Sequence, residues 1–342
     1  MIYIRALCSM IFCIIVSYTL TKLLHRKGQQ WNWLDQPRER HIHTQPVVTM
    51  GGLALHFSFW LTFFLFFKEQ FSYFTSVLIA SSVLVGVGVL DDLYELSPLK
   101  KSIGIILASL IVVMGSELTI HSIHITRFFD LPLPPLIGSL AVLVWLFVMS
   151  NAMNLMDGLD GLASGVSLIA LTTMGIIFYL FIEPTPIPQL VIVMLLFASV
   201  VGFIPMNWHP AKIYLGDTGA LWLGFMLAIV SLIGIKNTAF LSLILPVSIL
   251  ALPLSDLLFV MMARFIKVKP LFKGDRRHLH HRLLKSGYSH RQSVYLIYTL
   301  SGIFSLASLA SELSENMSIL FIAGGILLGA WLLSITNTSQ NK

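Results

Sequence analysis

Apolar and polar stretches alternate along the whole chain, and the apolar ones are long. Eleven of them run over about 2–24, 51–67, 71–90, 102–119, 134–152, 161–182, 188–206, 215–235, 238–263, 292–310 and 318–335. Crossing the hydrocarbon core of a bilayer as a helix takes about 20 predominantly apolar residues. The pattern therefore predicts an all-α integral membrane protein, a polytopic bundle of about eleven transmembrane helices. The second and third stretches are separated only by Lys68, Glu69 and Gln70, which predicts a tight antiparallel helix pair. Between the fourth and fifth, residues 120–133 alternate and then break at prolines, as expected of a small hairpin or an irregular cap. No linker, repeat or low-complexity tract divides the chain, so residues 1–342 read as one domain.

Composition agrees, with 56% hydrophobic and 11% charged residues, where soluble domains carry about 25% charged. Arg5 before the first apolar run resembles a secretory leader, but the run is long for one and no small-x-small cleavage site precedes Lys22. It reads as a retained span. Cys8 and Cys13 lie inside it and are expected to be apolar filler.

The polar positions are not shared equally between the two sides. Eighteen of the 22 Lys and Arg residues fall on alternate loops and the C-terminus, leaving Arg5, Lys68, Arg127 and Lys236 for the other side. By the positive-inside rule the N-terminus is outside and the C-terminus cytoplasmic. The net charge of +6 thus sets topology and attracts anionic membrane lipid, and nucleic acid is not an expected partner. The loops expected on the basic side are about 25–50, 91–101, 153–160, 207–217 and 264–291.

Those same loops hold the candidate chemistry. Asp91-Asp92 follows the third apolar run directly, and an adjacent carboxylate pair there is costly unless solvent or a cation compensates it. In NAMNLMDGLDGLASG (151–165), Asn151, Asn154, Asp157 and Asp160 recur at steps of three, which predicts one polar stripe on a helix interrupted by Gly158 and Gly161. In NWHPAKIYLGDTGALWLG (207–224), Asn207, Lys212 and Asp217 lead into the eighth span. A lone Asp at a helix start is commonly a cap, but this one shares a face with the other two groups. The last loop carries GDRRHLHHRLL, with His278, His280 and His281 among Arg276, Arg277 and Arg282. Three histidines evoke zinc. The surrounding cations oppose a metal, however, and Arg and His together suit an anionic ligand such as phosphate.

Together these groups predict phosphoryl transfer at a membrane surface. Carboxylates would hold a hard cation, Mg²⁺ with Mn²⁺ as an alternative, that bridges substrate phosphates. No Walker A motif or kinase-type glycine loop is present. A lipid transporter or flippase is the competing class. Transporter sites tend to lie near the bilayer midplane, whereas every motif here lies at a span end.

Asp91-Asp92, NAMNLMDGLDGLASG, the NxxPAxxxxGDTGA stretch and the DRRHLHH loop resemble the polyprenyl-phosphate N-acetylhexosamine-1-phosphate transferases, over roughly residues 31–285. The resemblance implies a bacterial inner-membrane enzyme with its active site facing the cytoplasm. It would move a sugar-1-phosphate from a UDP-N-acetylhexosamine to undecaprenyl phosphate, releasing UMP. HLHHRLL in place of three consecutive histidines followed by Phe-Glu is similar to the branch that begins O-antigen, enterobacterial common antigen or teichoic-acid linkage units. That branch uses UDP-GlcNAc or a related sugar such as UDP-QuiNAc or UDP-FucNAc, and a homodimer is compatible with it. Residue by residue, the resemblance implies Asp217 as metal ligand, with Asp91 or Asp92 activating the lipid phosphate or Asp92 helping to hold the metal. Asn154, Asp157, Asp160 and Asn207 would line the nucleotide pocket. Arg277, His278, His280 and His281 would meet the diphosphate or sugar, and Lys101 matches a lysine linked with phosphate binding. Before the second span the family pattern D-x-P-x-x-R-K-x-H is met by Asp35, Pro37, Arg40 and His43, with Arg40 and His43 as substrate contacts. His41 stands in place of its Lys, and Val48 in place of a following Pro. The nucleophile would be a phosphate oxygen attacking directly, since a phosphate dianion needs no further activation; a passage through an aspartyl-phosphate is the alternative.

Overall fold

The computed structural model describes residues 2–35, 46–116, 118–120, 122–126, 129–182, 185, 187–235, 250–266, 278–314 and 320–329. Helices dominate: α1 (Ile2–Gln30), α2 (Gly52–Phe67), α3 (Phe71–Tyr94), α4 (Pro98–Gly115), α5 (Pro135–Met156), α6 (Leu162–Leu180), α7 (Ile187–Asn207), α8 (Gly216–Ile235), α9 (Ala251–Ile266), α10 (Leu279–Lys285) and α11 (His290–Leu313). A short apolar helix, α12, follows at Leu320–Gly329. Eight of these are long and apolar enough to cross a membrane. The other three apolar stretches coincide with α2, α9 and α12, which are shorter within the described residues. The first half of the ninth stretch lies outside them.

Local chemistry explains the helix ends. Ser97 caps α4, its side chain accepting from the Lys100 amide, and Pro98 opens the helix where its missing N–H is no loss. Ser289 and Gln292 form a reciprocal capping box on α11. A single 3-10 turn, Lys68–Gln70, joins α2 to α3 as the sequence predicts. At that end Arg5 meets Glu69 at 2.5 Å. The hairpin expected near 120–133 is present as β1 (Ser122–Thr126) paired antiparallel with β2 (Phe129–Pro132).

Two expectations need correction. Asp91 and Asp92 do not follow the third helix but lie in its last turn, because α3 runs on to Tyr94. The stripe of four at 151–160 is not one helical face. α5 ends at Met156, and Asp157 already has φ −74° and ψ 47°, so only Asn151 and Asn154 are helical.

α8 is the axis of the bundle. Of its apolar stretch 89% is buried, against 22% for α1, and it packs on α2, α3, α5, α6 and α7. Helices in lipid gain little from hydrophobic burial against one another and rely on close contact between small residues. Gly88 of α3 lies against the α8 backbone, where a Cβ would stand 2.3 Å from Thr218 Cα. Gly52 of α2 does the same against Gly219, at 2.2 Å. Phe59, Phe63, Phe203, Trp222 and Phe225 fill the space between these contacts and are fully buried. A second, smaller apolar cluster joins Met156, Leu159 and Leu162 to Leu252, Leu283, Val294 and Ile297, tying α10 to the α5–α6 turn.

Gly88→Ala is expected to push α3 off α8 and destabilise the detergent-solubilised protein by about 1–3 kcal/mol, the usual range for overpacking. Gly86, two residues earlier, has nothing within 4 Å of its Cβ position among the described residues and supplies the control. Gly86→Ala should leave the thermal unfolding midpoint unchanged or slightly raised.

Candidate active site

The site forms where α3, α4, α5 and α8 end or begin. The first turn of any helix leaves backbone N–H groups without intrahelical partners and carries partial positive charge. On α8 these groups are met by Asp92 from α3. Its Oδ1 accepts from the Asp217 amide at 2.9 Å, and its Oδ2 accepts from the Thr218 amide at 3.2 Å and the Thr218 hydroxyl at 2.6 Å. Gly216 makes the approach feasible: it has φ +71°, and a Cβ there would lie 2.6 Å from Asp92 Oδ2. Asp92 is thus an interhelical cap with both oxygens turned toward α8.

Its neighbour Asp91 points elsewhere. Asp91 is buried; its Oδ1 accepts from the Leu96 amide at 2.8 Å, fixing the α3–α4 turn, and its carboxylate pairs with Lys101 Nζ. Lys101 also reaches Asp217 Oδ2 at 2.6 Å, while Asn154 donates to the other Asp217 oxygen. A cation in the first turn of α4 opposes the helix dipole, and the two carboxylates that flank Lys101 offset that. Asp91, Asp92, Lys101, Asn154 and Asp217 are therefore one bonded constellation, drawn from four helices.

Asp157 lies beside it without an ion pair among the described residues. Burial, and then the nearby charges of Asp92 and Asp160, push its carboxyl up to about 8. Asp160 faces away from the constellation. Its Oδ2 meets His209 Nδ1 at 2.7 Å and accepts from the Ala211 amide at 3.1 Å, and its own amide donates to His290 Nε2 at 3.1 Å. The ligand atoms of Asp160, His209 and His290 lie close enough to hold a metal. The two imidazoles, however, are stacked face to face at 4.0 Å and 19°, side by side rather than converging, and the carboxylate already serves as a brace between two loops and α11. Asn207 is likewise a brace: it is buried, accepts from Ser164 Oγ at 2.9 Å and donates to the Ile213 carbonyl at 3.0 Å. That loop continues as a backbone ladder in which the Tyr214 amide donates to Val48 O and the Gly51 amide to Tyr214 O.

The histidine segment closes the site from the other side. His280 is 3% exposed, and the Nε2 edge of its ring lies against Gly158, where a Cβ would come within 2.2 Å of Nε2. That Nε2 has no hydrogen-bond partner among the described residues. Burial and the neighbouring His281 and His278 hold His280 well below the usual imidazole range, so it is neutral at physiological pH. His281 is 4.3 Å from His280, and His278 is bonded to Asp256 of α9. Arg40, His43 and Arg277 lie outside the described residues. Thr218, His209, His290 and Asp256 were not singled out from the sequence. Asp256 did carry a signal, as a carboxylate inside an apolar stretch.

The constellation sets oxygen groups of the kind a hard cation takes beside a lysine of the kind that meets phosphate. Its donors are carboxylate and amide oxygens, the set that suits Mg²⁺, and Lys101 shows where positive charge is already drawn in. Such a fold with such a site defines a polytopic membrane transferase of phosphorylated groups. The chain belongs to glycosyl transferase family 4, whose pattern matches residues 74–235. It is 33% identical over 325 residues to a Bacillus subtilis (strain 168) protein named as a probable undecaprenyl-phosphate N-acetylglucosaminyl 1-phosphate transferase, covering 93% of this chain and 88% of the relative. A Mycobacterium tuberculosis (strain ATCC 25618 / H37Rv) decaprenyl-phosphate N-acetylglucosaminephosphotransferase is 33% identical over 87% of this chain and 80% of its own length. The Escherichia coli (strain K12) undecaprenyl-phosphate alpha-N-acetylglucosaminyl 1-phosphate transferase is 26% identical over 86% and 82%.

A carboxyl raised on folding is lost stability as pH rises. Below about pH 4 Asp157 is protonated in both states and withholds nothing; from there to about pH 8 only the unfolded chain ionises fully, and stability declines. The thermal midpoint of metal-free protein should accordingly fall over this interval more steeply than that of Asp157→Asn. Parallel curves for the two proteins would refute the assignment.

Proposed function

We propose that this enzyme transfers N-acetylglucosamine-1-phosphate from UDP-GlcNAc to undecaprenyl phosphate, giving the diphosphate-linked lipid and UMP, as the first step of a surface-glycan pathway. The observation that carries the reading is the Asp91–Lys101–Asp217–Asn154 constellation built on the Asp92-capped start of α8. The names of the relatives support the sugar and the lipid acceptor. The basic loops on the same face support a cytoplasmic site in the bacterial inner membrane, reachable by a soluble nucleotide and by a lipid headgroup.

In the reaction a phosphate oxygen of the lipid attacks the β-phosphorus of the donor, the bond from that phosphorus to the bridging oxygen breaks, and UMP departs with that oxygen. Much of the catalysis is placement and charge compensation. Asp217 and, beside it, Asp91 are the residues that would hold Mg²⁺, and the ion supplies charge neutralisation on the diphosphate. Lys101 exchanges a carboxylate for a phosphate oxygen as the substrates enter. Asp91 orients Lys101, and Asn154 orients Asp217. Asp92 holds the α8 start, and with it the Asp217 backbone, in place; its oxygens serve this role rather than proton removal, which a phosphate dianion does not need. His280, neutral and packed on Gly158, brings the histidine segment to the donor side with His281.

Purified protein in detergent should release UMP from UDP-GlcNAc only when both polyprenyl phosphate and Mg²⁺ are present, and chelation should abolish release reversibly. Asp217→Asn should lower kcat by about 10²–10³, as expected for loss of a group stabilising transition-state charge. Release without the lipid, or a fully active Asp217→Asn, would overturn the reading.

A further inference from the structure

An ionisable side chain inside an apolar helix is costly and marks a function unless a partner explains it. Asp256 lies in α9, within ALPLSDLLFV, and its partners come from a different part of the chain. Its Oδ2 meets His278 Nδ1 at 2.9 Å and its Oδ1 accepts from the Leu279 amide at 2.8 Å. The two side chains are 9% and 4% exposed, so neither bond is shared with solvent to any extent. Leu279 opens α10, and His278 before it makes no side-chain cap of its own. Asp256 thus does for α10 what Asp92 does for α8: a carboxylate from one helix satisfies the first turn of another.

We propose that Asp256 is a positioning residue for catalysis, setting the register in which His280 meets the donor side of the site. This rests on the reading of that site given above. The apolar cluster of Leu283 with Met156, Leu159 and Leu252 holds α10 at the right depth, but hydrophobic contact is not directional and does not choose a rotation. Directional bonds do. His278 and His280 lie nearly parallel, at 5.9 Å and 7°, and Leu279 between them is held to Asp256 through its amide, so the bonds that fix this first turn also fix the backbone that carries His280. His280 has little room to adapt, since its Nε2 lies against the Gly158 backbone. Gly158 in turn is the neighbour of Asp157. A chain of contacts therefore runs from Asp256 through His278 to His280 and the α5–α6 turn.

The test is steady-state kinetics of the full-length enzyme in detergent, with UDP-GlcNAc and polyprenyl phosphate varied separately. Displacement of a positioned group by about 1 Å can cost about 10²-fold. Asp256→Ala is expected to lower kcat/KM for UDP-GlcNAc by about that factor while leaving the KM for polyprenyl phosphate unchanged. Asp256→Asn, which keeps one acceptor oxygen, should fall between it and the unmodified enzyme, and it carries the comparison if the alanine variant does not fold. Residues acting through one another are not additive, so Asp256→Ala/His278→Ala should be no worse than the poorer single variant. Unchanged kinetics of Asp256→Ala, additive losses in the double variant, or an equal KM rise for both substrates would each overturn the proposal. His280→Ala separates the two levels. If it is inactive while Asp256→Ala is fully active, only the positioning role falls; if His280→Ala is fully active, the donor-side reading falls and the positioning role with it.

Discussion

The start of α8 is the point on which the rest of the structure depends. This helix is the most enclosed of the long spans, and its unpaired first-turn amides open into the interior of the bundle, where unsatisfied backbone groups are expensive. The Asp92 carboxylate answers both the missing hydrogen bonds and the partial positive charge. One consequence is positional: α3 and α8 are locked end to start, and the side chain of Asp217 is presented beside Asp91. The other is electrostatic. Bringing Asp91, Asp92 and Asp217 together creates an excess of negative charge that Lys101 only partly offsets, and burial beside these groups keeps the Asp157 carboxyl raised.

Close packing makes that arrangement reachable. A carboxylate on α3 is short, and it spans to α8 only because the two backbones touch at Gly88. Gly52 brings α2 equally near on another side. The aromatic side chains around Trp222 then fill what the small residues leave open, in edge-to-face contacts among His56, Phe59 and Trp222. In lipid this division of labour is expected, since helix association there depends on fit. The histidine segment has a separate apolar cluster, so the acidic half and the histidine half of the site are held by different cores and meet at the α5–α6 turn.

That turn gathers the braces. Asp160 ties it to the α7–α8 loop and to α11, Tyr298 donates to the Gly161 carbonyl at 2.6 Å, and Asn207 fixes the adjoining loop from within. These polar groups look inward and use their hydrogen bonds on the protein. The groups left for a ligand are fewer: Lys101 and Asp217, which can exchange their mutual ion pair for it, and Asp157. A site whose supports are fixed and whose reacting groups are paired with one another is preorganised for charge brought in by substrate.

Much of this was legible in the sequence. Apolar length alone marked the spans, because a helix must run about 30 Å to cross the hydrocarbon core. The distribution of Lys and Arg marked one face, and density of polar residues within apolar sequence marked Asp91-Asp92, 151–165, 207–224 and the histidine segment. Individual roles were not legible. Asp91 and Asp92 are adjacent, but side chains on neighbouring helical residues point about 100° apart, and so one pairs with Lys101 while the other caps α8. The stripe at 151–160 broke because the chain leaves the helix at Asp157. Asp160 with His209, Asp256 with His278 and Asp92 with Asp217 are separated by 49, 22 and 125 positions. The sequence by itself determined that long apolar helices build the protein and which side chains carry charge, since both follow from composition over short windows. Which carboxylate holds the scaffold and which is left for the substrate was decided only by tertiary structure, because a hydrogen bond depends on where its distant partner comes to rest.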